Sequence, residues 1–190
     1  MTYDIILAGV GGQGVLSIAT IIARAAMIDG LQVRQSEVHG MSQRGGGVQA
    51  HMRIADTTIF SDLIPSGGAD MILAMEPIEA LRYLSFLKPE GILVTAAEPF
   101  INIPDYPDTE QIYAAIRRLS RQRIVHAESL AKEAGNLKSV NMVLIGAAQH
   151  ALPVSRQALA QSVHETFKKK DPRLVDINMK ALELGENAPN

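Results

Sequence analysis

Tyr3-Asp4-Ile5-Ile6-Leu7-Ala8 is an apolar run that breaks into Gly9-Val10-Gly11-Gly12-Gln13-Gly14 and restarts as an apolar segment from Val15 to Asp29. A buried strand that stops at glycines and resumes as a helix is the opening of an α/β unit. Ser17, Thr20 and Arg24 are the only polar residues of the segment before Asp29. Spaced three and four apart, they form one narrow stripe, so the helix must be covered on more than one side. Gly30 ends it, and Leu31 to Ser36 supplies a second strand. These constraints point to a three-layer αβα sandwich with a mixed, mostly parallel, Rossmann-like sheet.

The mixed character comes from the next segment. Glu37 to Gly47 is glycine-rich and lacks an apolar period, so it reads as a long loop. Val48, Ala50, Met52 and Ile54 then alternate with Gln49, His51 and Arg53, as in a half-exposed strand. No helix separates this strand from the one before, so neighbouring positions require an antiparallel pair. His51 falls on the polar face and reads as a solvent or interface histidine.

The αβ rhythm returns beyond Pro65-Ser66-Gly67-Gly68. Expected strands are 71–75, 92–95 and 123–127. Pro77 opens a helix over 78–87, and Lys88-Pro89-Glu90-Gly91 reads as a turn. Asp108 to Gln111 has the spacing of a helix cap before a helix to about Ser120. Further helices are expected over 128–134, over the apolar stretch 139–150, from the Ser155 cap to about Phe167, and from Pro172 to Gly185. Gly146 inside an apolar helix, with Asn141 a turn before it, suggests close backbone approach by a packing partner, another subunit included. Lys168-Lys169-Lys170 reads as a solvated helix end. No repeat or long linker divides the chain, so residues 1–190 are expected to form one domain with a frayed tail.

The pattern G-x-G-x-x-G from Gly9 to Gly14 lies between a strand and a helix, where phosphate oxygens can reach backbone N–H groups at the positive end of the helix. The alternative is that these glycines only permit close packing. Glu37, after the second strand, holds the place of a ribose-binding carboxylate in a nicotinamide dinucleotide fold. A stand-alone NAD(P)-dependent oxidoreductase is therefore one reading, and a protein-binding module is another. The loop that follows carries His39, Ser42, Arg44, Gly45 and Gly46. Arg44 could clamp a phosphate or carboxylate in two-pronged fashion, and His39 could donate to one. Glu76, Glu98 and Glu128 also fall just after expected strands, but read better as residues of helix starts and loop openings.

The glycine loop, followed by Gln35-Ser36-Glu37-Val38-His39-Gly40-Met41-Ser42-Gln43-Arg44-Gly45-Gly46, resembles the gamma-type subunit of 2-oxoacid:ferredoxin oxidoreductases. Within that family the sequence is most similar to the beta subunit of the indolepyruvate branch. The likeness continues through Leu63-Ile64-Pro65, Glu76 to Arg82, Leu87 to Gly91 and Asn141 to Ala147, and thins after about Phe167. The resemblance implies a larger partner subunit that carries thiamine diphosphate, magnesium and 4Fe-4S clusters. It implies a complex that decarboxylates an aryl 2-oxoacid to an acyl-CoA and reduces ferredoxin. It places this chain beside the active site, with coenzyme A as the ligand that Gly9, Gly11, Gly12, Gln13, Gly14 and Arg44 could help to seat.

Composition agrees on the excluded side. The chain has no cysteine, so it offers no thiolate for a cluster, a zinc site or nucleophilic catalysis. It also lacks a Gly-Asp-Gly followed by paired asparagines to grip thiamine diphosphate. Eighteen Lys and Arg against twenty Asp and Glu argue against bulk-charge binding to nucleic acid. The apolar runs are too short for a membrane span, and no signal-peptide pattern opens the chain, so the expected compartment is the cytoplasm.

Overall fold

The computed structural model describes residues 1–39, 45–101, 104–168 and 171–189. Ser42 and Arg44 lie outside the described residues, as do Lys169 and Lys170. The chain begins with β1 (Thr2–Val10), α1 (Val15–Ile28), β2 (Gln32–His39) and β3 (Gly47–Ala55). It continues through β4 (Ala69–Ala74), α2 (Pro77–Arg82), β5 (Leu87–Ala96), α3 (Thr109–Ile116), β6 (Gln122–Val125) and α4 (Ala127–Ala134). The last helices are α5 (Val140–Ala148), α6 (Arg156–Phe167) and α7 (Pro172–Glu186).

The strands form one sheet in the order β2-β3-β1-β4-β5-β6. β1, β4, β5 and β6 pair in parallel, whereas β3 runs antiparallel to both β1 and β2. The expected antiparallel hairpin is thus present, and it is inserted beside the central strand. Alternation along β1 divides the core. Ile5 and Leu7 face the layer built from α1 and α4 to α7, while Ile6 and Ala8 face the layer of α2 and α3.

Local chemistry fixes the helix starts. Ser155 accepts a hydrogen bond from the Ala158 amide, Asp108 from the Gln111 amide and Asp171 from the Arg173 amide. Gly146 and Gly185 let α5 and α7 touch backbone to backbone. A Cβ at Gly146 would collide with the Leu182 carbonyl, and one at Gly185 with the Val143 carbonyl. The approach at Gly146 is therefore met by a helix of the same chain.

Several expectations need correction. The loop after the second strand is shorter than 37–47, because β2 runs on to His39 and pairs with β3 along its whole length. The expected helix 78–87 ends at Arg82 and passes through a 3₁₀ turn, Leu84–Phe86, into β5. Lys88-Pro89-Glu90-Gly91 is not a turn but the start of that strand. Leu87 pairs with Ala69, the register shifts before Met71 pairs with Ile92, and Gly91 sits at this irregularity. The helices expected to reach Ser120 and His150 stop at Ile116 and Ala148, and the second continues as a 3₁₀ turn, Gln149–Ala151.

His51 is only 5 % exposed, against the expectation of a solvent or interface residue. The segment after β3 folds over it: the Ile64 amide donates to His51 Nδ1 at 2.9 Å, and the ring meets Phe86 edge-on. Its neighbour on the same face, Arg53, pairs with Asp4 at 2.9 Å and also donates to the Ser61 and Leu63 carbonyls.

Candidate functional site at the glycine-loop edge

β1, β4 and β5 all end at the same edge of the sheet, where open α/β folds bind ligands. Here the glycines divide into two groups. Gly9 and Gly14 are demanded by packing. A Cβ on Gly9 would stand 2.8 Å from Val15 Cγ2, and one on Gly14 would stand 2.5 Å from Asn141 Nδ2. Gly12 has φ +101°, which favours glycine, and nothing lies within 4 Å of where its Cβ would be. That glycine faces open space.

Gln13 braces the loop from within. Its Oε1 accepts from the Val10 amide at 2.8 Å, and its Nε2 donates to the Met75 carbonyl at 3.4 Å. Asn141, at the start of α5, donates from Nδ2 to the Gly14 carbonyl at 3.2 Å. The base of the hairpin closes on the same loop: the Gly11 amide donates to the Gly46 carbonyl at 2.9 Å, and the Gly45 amide to the Gly11 carbonyl at 3.5 Å. Of the sequence-predicted residues, Gly9, Gly11, Gly12, Gln13, Gly14, Gly45 and Gly46 are therefore brought together.

Glu37 is placed differently. In the dinucleotide fingerprint the carboxylate stands on the strand next to β1. Here β3 lies between β1 and β2, and Glu37 is an exposed residue of the outer strand, accepting from Gln35 Nε2 at 2.5 Å. The geometric ground for a ribose contact is thus removed. His39 ends β2 with its backbone paired to Val48, and its side chain lies outside the described residues.

A cleft of about 460 Å³ opens beside Gly12. Met75 and Ala96 line it at the strand ends, Phe100 and Leu137 are its large apolar side chains, and its polar lining includes Glu98, Glu128, Lys138 and Asn141. A smaller apolar hollow of about 270 Å³, against Val15, Leu16 and Val48, lies on the other side of the glycine loop. Four helices, α1, α2, α4 and α5, start at this edge, and they differ in state: Glu76 caps α2 by accepting from the Glu79 amide. Glu98 already fills the start of α4, accepting from the Ala127 and Glu128 amides at 3.2 and 3.1 Å. α1 has neither an acidic residue in its first turn nor a capping side chain. The Ser17 amide already donates to the Gly14 carbonyl at 2.9 Å, so α1 favours an anion through its first two amides, and α5 likewise lacks a capping side chain and a first-turn acid.

Sequence reasoning missed most of the cleft walls. Asn141 was legible only as a polar residue opening an apolar helix. Met75, Phe100, Leu137 and Lys138 come from distant segments and carry no joint local pattern. Among the described residues no cluster of His, Asp and Glu suits a metal ion, and no helix is long and apolar enough to cross a membrane.

The family model described as pyruvate ferredoxin/flavodoxin oxidoreductase matches residues 4–188. The chain belongs to this family. It is 39 % identical to the indolepyruvate oxidoreductase subunit IorB of Archaeoglobus fulgidus, over 98 % of this chain and 95 % of that one. It is 41 % identical to the IorB of Pyrococcus horikoshii, with the same coverage. The gamma subunit of a keto/oxoacid ferredoxin oxidoreductase from Geobacter sulfurreducens superposes with a TM-score of 0.68 at 27 % identity, over 96 % of this chain and 95 % of that one. The same fold occurs in a 2-oxoglutarate:ferredoxin oxidoreductase from Magnetococcus marinus, with a TM-score of 0.76 at 22 % identity. That structure holds 2-oxoglutarate, coenzyme A and succinyl-CoA, and this chain spans 97 % of its own length but only 30 % of that longer chain.

Proposed function

We propose that this chain is the cluster-free subunit of a thiamine-dependent 2-oxoacid:ferredoxin oxidoreductase acting on aryl 2-oxoacids such as indolepyruvate, and that its glycine-loop edge seats phosphate groups of coenzyme A. The observation that carries the reading is the 37 to 41 % identity to indolepyruvate oxidoreductase subunits over nearly the whole of both chains. Without cysteine the chain supplies no thiolate, so the 4Fe-4S clusters fit a larger partner subunit, together with thiamine diphosphate and magnesium. Bound there, thiamine diphosphate supplies the carbanion chemistry that releases carbon dioxide, and the clusters pass electrons to ferredoxin. The compartment consistent with this role is the cytoplasm.

This chain's own part is to bind and orient. The open face at Gly12 and the uncapped start of α1 offer amides to an anion, and Lys138 adds a cation on the cleft side. Glu98 and Glu128 also line the cleft; Glu98 accepts from the first two α4 amides, so that helix start offsets part of its charge, and Lys138 stands on the same lining. Gly9, Gly14, Gln13 and Asn141 hold the loop in shape, so the packing and binding roles of the glycines coexist in one turn.

The assembled complex tests this. Arg44→Ala is expected to raise the Michaelis constant for coenzyme A about tenfold, as the loss of a charge-assisted phosphate contact does. The constant for the 2-oxoacid should be unmoved. An unchanged coenzyme A constant with weakened subunit association would instead place the loop at the protein interface. Oxidation of an arylpyruvate by this chain alone, or its saturable micromolar binding of NAD(H), would overturn the assignment.

A further inference from the structure

Beneath the hairpin base lies a third, smaller cavity of about 120 Å³, lined by Gly45, Gly47, Glu76, Glu79, Tyr106 and Phe100 among others. Two carboxylates are buried beside it, Glu76 at 1 % exposure and Glu79 at 5 %. Each has a defined set of partners. Glu76 Oε2 accepts from the Glu79 amide at 2.9 Å, which caps α2. Its Oε1 accepts from the Tyr106 hydroxyl and, at a long 3.4 Å, from the Phe100 amide. Glu79 pairs with Arg82 Nε at 3.1 and 3.0 Å, and its carboxylate fills the space that a side chain at Gly47 would need.

Phe100 belongs to both hollows: it walls the large cleft on one side and the small cavity on the other. Its backbone is held by a single buried acid at the tip of β4, and that acid is fixed in turn by Tyr106. We infer that Glu76 and Tyr106 are positioning residues that set the Phe100 wall, and with it the fit of the cleft to the coenzyme A reactant. The cap on α2 would be satisfied by Glu76 alone. The additional reach to residues 100 and 106 has no role in helix capping, and it joins the segment after β5 to the tip of β4. A buried carboxylate left short of donors is costly, so Glu76 keeps these partners wherever geometry allows. Tyr106 retains its proton as the donor, since burial foremost and the Glu76 contact next raise its pKa well above the ordinary phenol range.

The kinetic readout rests on the coenzyme A reading above, so the test pairs it with one that does not. In the assembled complex, hydrogen exchange over Ala97–Ile101 is measured for wild type, Tyr106→Phe and Glu76→Gln, alongside kcat and both Michaelis constants. Tyr106→Phe is expected to speed exchange over Ala97–Ile101 and to raise the coenzyme A constant three- to tenfold, with kcat moving less than twofold. Glu76→Gln, which keeps an acceptor, is expected to fall between it and wild type. Phe100→Ala should raise the same constant, and the double variant Tyr106→Phe/Phe100→Ala should add little to it, because both act through one wall. Unchanged exchange in both polar variants overturns the inference whatever the kinetics. So does faster exchange with an unmoved constant when Phe100→Ala does raise it. If exchange quickens and neither Tyr106→Phe nor Phe100→Ala moves the constant, the positioning stands and the coenzyme A seat fails.

Discussion

The two faces of the sheet are built by different means. On the α1 side, Ile5, Leu7, Ile22, Met52, Leu73 and Leu144 belong to one continuous apolar cluster closed by helices. On the α2 side the apolar cluster is smaller, and the coverage is completed by Asp4–Arg53, His51 with the Ile64 amide, and Glu76 with Tyr106. The first face is held by burial of non-directional apolar surface, and the second by hydrogen bonds with few alternatives. Charge and pH therefore act on the packing of the thin face, while the thick face is held by apolar burial.

This contrast can be broken in three places. The largest effect is expected on the thick face. Ile22→Ala removes a fully buried side chain and should cost about 4 kcal/mol, read from the urea midpoint at constant slope, with the same loss at acid and neutral pH. The next is expected at the ion pair. Asp4→Ala strands the Arg53 guanidinium, mostly buried beside it, and should cost about 3 kcal/mol, whereas Asp4→Leu with Arg53→Met should recover much of that loss. If the double variant is as weak as the single, the thin face depends on packing after all.

The smallest effect is a pH dependence at His51. Burial foremost lowers its pKa below 6.5, with Asp62 and Asp4 opposing. A histidine whose folded pKa lies below its unfolded value contributes stability that is present above pH 6.5 and lost as pH falls through the folded pKa. Protonation would also deprive the Ile64 amide of its acceptor. Protection factors over residues 57–64, taken against the intrinsic rate at each pH, should therefore fall between neutral and mildly acidic pH, and His51→Gln should remove that dependence. Glu79 works in the other sense. Burial foremost raises its pKa despite Arg82, so its contribution is fully present below the unfolded value and declines as pH rises through the folded one.

The thick face was largely legible in the sequence and the thin face was not, for the same physical reason. The apolar run of β1, the glycine loop and the near-uniform cylinder of α1 announce themselves within one window, and the cap at Ser155 marks the start of α6 by local chemistry. The thin face depends on pairings between distant residues. Pro89 and Gly91 suggest a turn, yet Leu87 is committed to a strand by Ala69 and the glycine absorbs the shift in register. The alternation that put His51 on the polar face was correct, but the cover that buries it comes from residues 56–68, which have no period of their own. Likewise the glycine half of the site could be read from Gly9 to Gly14, while the cleft needs residues from the ends of β4 and β5 and from the segment before α5.

The antiparallel strand wedged beside the central one has an effect on how this fold tolerates change. Val48, Ala50, Met52 and Ile54 hold their place against the first helix only through odd–even parity, and the same parity aims His51 and Arg53 the opposite way. Lengthening β3 by a single residue would exchange the two sets, driving a guanidinium and an imidazole under α1 and turning four apolar groups outward. Insertions of two would preserve the exchange-free order, so length variation in this hairpin is expected to come in even steps.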